Sequence, residues 1–155
     1  MEHLPSNKYP NFFKAILEVA EAIELEVNLK GKILDQSYWS AAKELGIKKP
    51  YLVKMLVAEV NIRRIPKIEF LINKVGIFPE RIAAMAVGYS IIIHPNFQTD
   101  KNIIMHELRH VAQFIACGSL KSYLDCYLME ISYFGYGYGP LENDANYVSR
   151  RSLLH

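Results

Sequence analysis

Asp100-Lys101-Asn102-Ile103-Ile104-Met105-His106-Glu107-Leu108-Arg109-His110-Val111-Ala112-Gln113-Phe114-Ile115-Ala116-Cys117-Gly118 is the segment on which the reading of this chain turns. Ile104, Leu108, Val111 and Ile115 recur at three and four, the stripe of a helix packed on a core. Thr99 or Asp100 supplies an N-cap and Gly118 a stop. His106, His110 and Gln113 fall on the other side of that wheel, flanked by Ile103, Phe114 and Cys117, which are too apolar for an open solvent face. The helix is therefore expected to be covered twice, by core on one side and by a site on the other.

Within it, His106-Glu107-Leu108-Arg109-His110 is an H-E-x-x-H pattern. Four helical residues rise about 6 Å and turn about 400°, so the two imidazoles leave one face about 40° apart and can reach one metal ion. Glu107 lies about 100° from His106. That is too far round for a third ligand, but suited to taking a proton from a water on that metal and passing it to a leaving group. Random placement of residues in a chain of this composition produces the pattern with a frequency on the order of 0.01. A catalytic zinc takes three protein ligands and keeps one position open, so a third must come from elsewhere. The candidates are Glu142, Asp144 and His94. Glu142 and Asp144 stand about 200° apart on one helix, so only one can face the metal; His94 would come from a strand edge.

Outward from this segment, a helix is expected over Leu120–Phe134. The loop Gly135-Tyr136-Gly137-Tyr138-Gly139 follows, then a last helix opened by Pro140, a favoured first position, and closed near Arg150 and Arg151. Upstream, Met85 to His94 reads as a strand. Residues 1–10 read as a loose arm. Helices are expected from Asn11 to Leu29, stopped by Gly31, and from Gln36 to Leu45, stopped by Gly46, with a third element over Tyr51–Leu56. A short strand over Val57–Ile65, ended by Pro66, a helix over Lys67–Val75, stopped by Gly76, and a turn of helix opened by Pro79 complete the pass. The sum is an α+β, helix-dominated single domain over 1–155: an arm (1–10), a mostly helical front (11–84) and a metal-binding core (85–155) with two or three strands.

Composition agrees with one domain. The 155 residues are 51% apolar and 22% charged, which excludes intrinsic disorder. A formal charge of +2 argues against a nucleic-acid binder. No apolar run approaches the roughly 20 residues of a membrane span. Charged residues precede and stud the first apolar segment, as no secretory signal allows, and the two cysteines, Cys117 and Cys126, read as reduced and buried. A cytoplasmic protein is expected.

With those residues in hand, the chain resembles the zincin clan, specifically small gluzincin-like bacterial proteins with H-E-x-x-H-x-x-Q followed by P-L-E-x-x-A. The matching residues are His106, Glu107, His110 and Gln113, then Pro140, Leu141, Glu142 and Ala145. Leu45-Gly46-Ile47, Ile65-Pro66 and Gly88-Tyr89 are weaker points of likeness. The resemblance implies a zincin-like fold and a metallopeptidase that holds one zinc ion through His106, His110 and Glu142. It implies Glu107 as general base. In the family an aspartate hydrogen-bonds a zinc histidine from the position of Asn146, whose neutral amide can still accept an imidazole N–H. An edge strand holding a peptide substrate is also implied, and Tyr89–Ile93 fits that place.

Other residues are weighed by chemistry. Gln113, two turns on from His106, is placed to hydrogen-bond a group behind the ligands or the last helix, with plain packing as the alternative. Arg109 is expected in a salt bridge with Glu130 or Asp144. Amide hydrolysis wants a donor for the oxyanion, and Tyr89, Tyr136 and Tyr138 are the candidates. Residues 41–55 carry a faint helix-turn-helix pattern. It supports a rival reading: a regulatory module whose zinc is structural, with no use for Glu107.

Overall fold

The computed structural model describes residues 3–59 and 82–151. The strand expected over 57–65 lies almost wholly outside them, as do the helix expected over 67–75, Gly76, Pro79 and the Ile65-Pro66 pair. Within the described residues the chain is α+β and helix-dominated. Its elements are α1 (Pro5–Lys8), α2 (Pro10–Lys30), β1 (Lys32–Ile33), α3 (Trp39–Glu44), β2 (Lys54–Val57), β3 (Ala84–Val87), β4 (Ser90–Ile93), α4 (Lys101–Cys117), α5 (Leu120–Phe134) and α6 (Pro140–Arg151).

The three C-terminal helices follow local signals. Asp100 caps α4, its Oδ1 accepting the N–H groups of Asn102 and Ile103, and Gly118 ends it at φ +84°. Ser119 caps α5, and Pro140 opens α6. Helix α4 is covered on both sides as expected: Leu108 and Val111 are fully buried on one face, and Glu107, His110 and Gln113 are buried on the other.

The sheet differs from expectation. Among the described residues it has four strands in the order β1-β2-β4-β3, with β2 and β4 parallel and the outer pairs antiparallel. The run read as one strand, Met85–His94, is a hairpin. Gly88, at φ +60°, and Tyr89 form its two-residue turn, and a positive φ at the first turn position is what glycine permits. The isoleucines of β4 are therefore central, paired on both edges, and among the described residues β3 is an outer strand. The element expected over Tyr51–Leu56 is a 3-10 turn, Pro50–Leu52, followed by β2. Among the described residues the front thus supplies two of the four strands, and over 41–55 α3 is followed by a 3-10 turn and β2 rather than by the second helix of a helix-turn-helix.

Two apolar clusters result. The main one joins the sheet to α3 and α4 through Leu34, Ile47, Val53, Ile91, Ile93 and Leu108. A smaller one joins α2 to α5 through Phe13, Ile16, Leu128 and Ile131. Residues 5–8 are not a loose arm. The backbone N–H of Ser6 donates to Asp125 Oδ1 (2.8 Å) and its hydroxyl to Oδ2 (2.7 Å), tying α1 to α5. Cys117 and Cys126 are free thiols, half-buried rather than buried. No helix among the described residues is long and apolar enough to cross a membrane.

Candidate metal centre

His106 and His110 leave α4 one turn apart, and Glu142 arrives from the first turn of α6. The start of α6 is fixed by α5: Leu141 N–H donates to Glu130 Oε1 (2.9 Å). Gly139 just before it passes so close that a Cβ there would stand 2.9 Å from the Glu130 Cβ. The three side chains then converge. Nε2 of His106 lies 3.1 Å from Glu142 Oε2, Nε2 of His110 lies 3.2 Å from Oε1, and the two Nε2 atoms are 3.0 Å apart. Corners of a tetrahedron with metal–ligand bonds of about 2.0–2.1 Å are about 3.3–3.4 Å apart. The contacts run to both carboxylate oxygens, each a little shorter than that spacing, and the trio could hold one metal ion.

The hydrogen bonds behind the trio support this. Gln113 donates through Nε2 to Leu141 O (3.0 Å) and to Asp144 Oδ2 (2.8 Å), which fixes its amide so that Oε1 faces His110 Nδ1 at 2.8 Å. That nitrogen must carry the proton, leaving the Nε2 lone pair free to face a cation. Asp144, the rejected alternative ligand, instead receives Arg109 Nε at 2.7 Å, while Arg109 Nη1 donates to Leu45 O at 3.0 Å. The guanidinium holds the Asp144 carboxyl below its usual range. His94, the other alternative, accepts from Asn96 N–H and faces Glu59, away from the trio.

Helix α5 adds two tyrosines that the sequence reading missed. Tyr127 donates to Glu142 Oε1 at 2.7 Å, and Tyr123 OH lies 3.3 Å from His110 Nδ1. Their i, i+4 spacing put both on one face, but tyrosines at that spacing read equally well as core. Of the three tyrosines singled out, Tyr136 reaches the site, hydrogen-bonded to Tyr127, with burial and the Glu142 and Glu107 charges pushing its hydroxyl up to about 12. Tyr89 instead packs edge-on against Phe114, and Tyr138 is 74% exposed. Asn146 lines a cavity beside His106, but makes no hydrogen bond to either imidazole among the described residues. Gln113 and Tyr123 stand at the His110 ring instead.

Glu107 is buried at the wall of the same cavity. Burial raises its pKa, against the two imidazoles and the backbone N–H of Ala86, which lower it. Ala86 belongs to β3. The bond from His94 N–H to Ala83 O marks that pair as hydrogen-bonded, so alternation turns the polar groups of Ala84 and Ala86 away from β4.

Without a cation, three acceptors face one another and the cluster recruits a proton. Burial disfavours a charged His110 ring, but the Glu142 hydrogen bond and the Glu107 and Glu142 charges outweigh it and lift the pKa to about 9. Glu142 moves the other way: burial raises it, yet the imidazole hydrogen bonds hold it far below the carboxylate range. Metal binding must displace the His110 proton. Titration calorimetry in buffers of different ionisation enthalpy should therefore read about one proton released at pH 7. Affinity should rise roughly tenfold per pH unit up to about 9. Binding with no proton release would remove the linkage.

No family model matches this sequence, and neither a curated protein nor a solved structure matches it.

Proposed function

We propose that the chain is a zinc-dependent hydrolase that cleaves peptide bonds. The observation that carries this reading is the buried Glu107 carboxylate, set in the wall of the His106–His110–Glu142 cavity without being one of its ligands. A structural metal site has no use for such a group. Two imidazoles and one carboxylate are a zinc donor set that leaves a fourth position open. Zinc bound there supplies Lewis acidity to a carbonyl and lowers the pKa of a ligated water.

The chain's own residues do the rest. Glu107 receives the proton of the attacking water and returns it to the leaving amine, and a raised pKa suits it to both halves of that transfer. Tyr136, on the cavity wall, stays protonated at neutral pH, and by turning its hydroxyl from Tyr127 it can donate to the developing oxyanion. The outward backbone groups of Ala84 on β3 offer a peptide the pairing of an added strand. A cavity of about 150 Å³ beside the trio is walled by Ile16, Val19, Ala20 and Ile23 of α2 and by Leu124 and Leu128 of α5. Cavities of about that size accept a benzene-sized group, so it seats one apolar side chain of the substrate.

The test is a peptide-library digest by the zinc-loaded chain, read by mass spectrometry. Cleavage beside apolar residues is expected. A chain that holds one zinc and leaves every peptide intact would sink the peptidase reading.

A further inference from the structure

We propose that Tyr127 is a positioning residue for the metal centre: by donating to Glu142 Oε1 it limits that carboxylate to one metal bond, through Oε2, and so keeps a place at the ion for water. The inference rests on the zinc reading above and on no step of the hydrolysis.

Both oxygens of Glu142 face the imidazoles. Oε2 lies 3.1 Å from His106 Nε2, and Oε1 lies 3.2 Å from His110 Nε2. A carboxylate in that place can grip an ion with one oxygen or with two. Two imidazoles and both oxygens would give zinc its full set of four donors from the chain. Two imidazoles and one oxygen leave the fourth position free. The choice decides whether the centre is closed or open.

The surroundings of the two oxygens differ. The Tyr127 hydroxyl stands 2.7 Å from Oε1. An ionised carboxylate only accepts, so the phenol supplies the hydrogen. A charge-assisted bond of this kind draws charge from Oε1 and leaves Oε2 the stronger donor to a cation. Tyr127 is itself held from several sides. Its ring stands edge-on to the His110 imidazole, with centroids 6.1 Å apart, and tilts against Tyr123 at 5.9 Å. Glu130, three residues further along α5, accepts the Leu141 N–H. One face of α5 therefore fixes two adjacent residues of α6, the backbone at Leu141 and the carboxylate at Glu142.

X-ray absorption at the zinc edge, on the zinc-loaded chain in frozen solution, reads the difference. For Zn–O bonds of about 2.0–2.2 Å, a carboxylate bound through both oxygens brings its carbon to about 2.5 Å from the ion, and one bound through a single oxygen to about 2.9 Å. The wild type is expected to lack the nearer carbon and Tyr127→Phe to gain it together with a second oxygen. A chain with p-aminophenylalanine in place of Tyr127, whose amine still donates, should return to the wild-type pattern. The second oxygen offsets the lost hydrogen bond, so zinc affinity in Tyr127→Phe should fall by no more than about tenfold, read by competition with a chelator. The nearer carbon in the wild type would overturn the proposal. So would identical spectra from wild type and Tyr127→Phe, or a second oxygen that the amine does not remove. A Tyr127→Phe chain that does not fold, or holds no zinc, would make the phenol part of the scaffold and overturn it too. A wild type that holds no zinc would overturn this inference and the hydrolase reading together, whereas intact peptides in the digest sink the hydrolase reading alone.

Discussion

Glu107→Gln is expected to keep one zinc ion and to lose peptide hydrolysis by a factor of about 10²–10⁴. The substitution is nearly isosteric. Its amide oxygen can still accept the Ala86 N–H that reaches the native carboxylate, so the side chain keeps its place. What it cannot do is accept a proton from water. Folding should not suffer, since the variant no longer buries a group whose charged form burial disfavours. Zinc content by elemental analysis, thermal melting and turnover on a cleaved peptide together decide the matter. Normal turnover would remove Glu107 from the chemistry. Loss of zinc together with turnover would make it a ligand and rewrite the donor set.

Removing a ligand should have a different signature. His110→Ala and Glu142→Ala each delete one of three donors and should weaken zinc by about 10²–10³-fold, taking apparent zinc-binding free energies of about 10–16 kcal/mol shared among the ligands as the scale. His110→Ala should also lower stability, because it strands Gln113 Oε1 and the Tyr123 hydroxyl in a buried place. Asp144→Ala should cost less, about 10–100-fold, through its hold on Gln113 and hence on the His110 ring. Asn146→Asp should leave affinity unchanged, since neither imidazole hydrogen-bonds to it. Competition with a chelator ranks the four. An Asp144→Ala variant worse than Glu142→Ala would mean that the third ligand is misassigned.

The parts of the site legible in the sequence are those coded by short-range rules. The helix starts at Asp100 and Pro140 are set within four residues, and the spacing of His106 and His110 is a property of one helical turn. The start of α6 was legible because a proline follows a glycine-rich loop, whereas the choice of Glu142 over Asp144 rested on the P-L-E-x-x-A resemblance. What escaped depends on contacts between distant stretches. The Ser6–Asp125 hydrogen bonds span 119 residues, and no local pattern announces them. The hairpin at Gly88 was hidden because Ala84–Val87 and Ser90–Ile93 are both apolar, so a continuous run masked the reversal. The identity of the edge strand went with it. The link from Arg109 through Asp144 and Gln113 to His110 joins α4 to α6, and of its members only the Arg109–Asp144 pair could be guessed from charge.

The metal trio comes from residues 106–142, whereas a wall of the apolar cavity comes from Ile16, Val19, Ala20 and Ile23. On the proposed reading, part of the selectivity is thus written in a stretch of chain separate from the reactive groups. Exchanging Val19 or Ala20 for a larger or smaller residue reshapes what fits without displacing a ligand, a capping residue or Glu107. If the chain is the hydrolase proposed above, a lineage can drift in diet at the α2 wall while its reaction chemistry is held constant, and a designer can do the same by recombining that one helix.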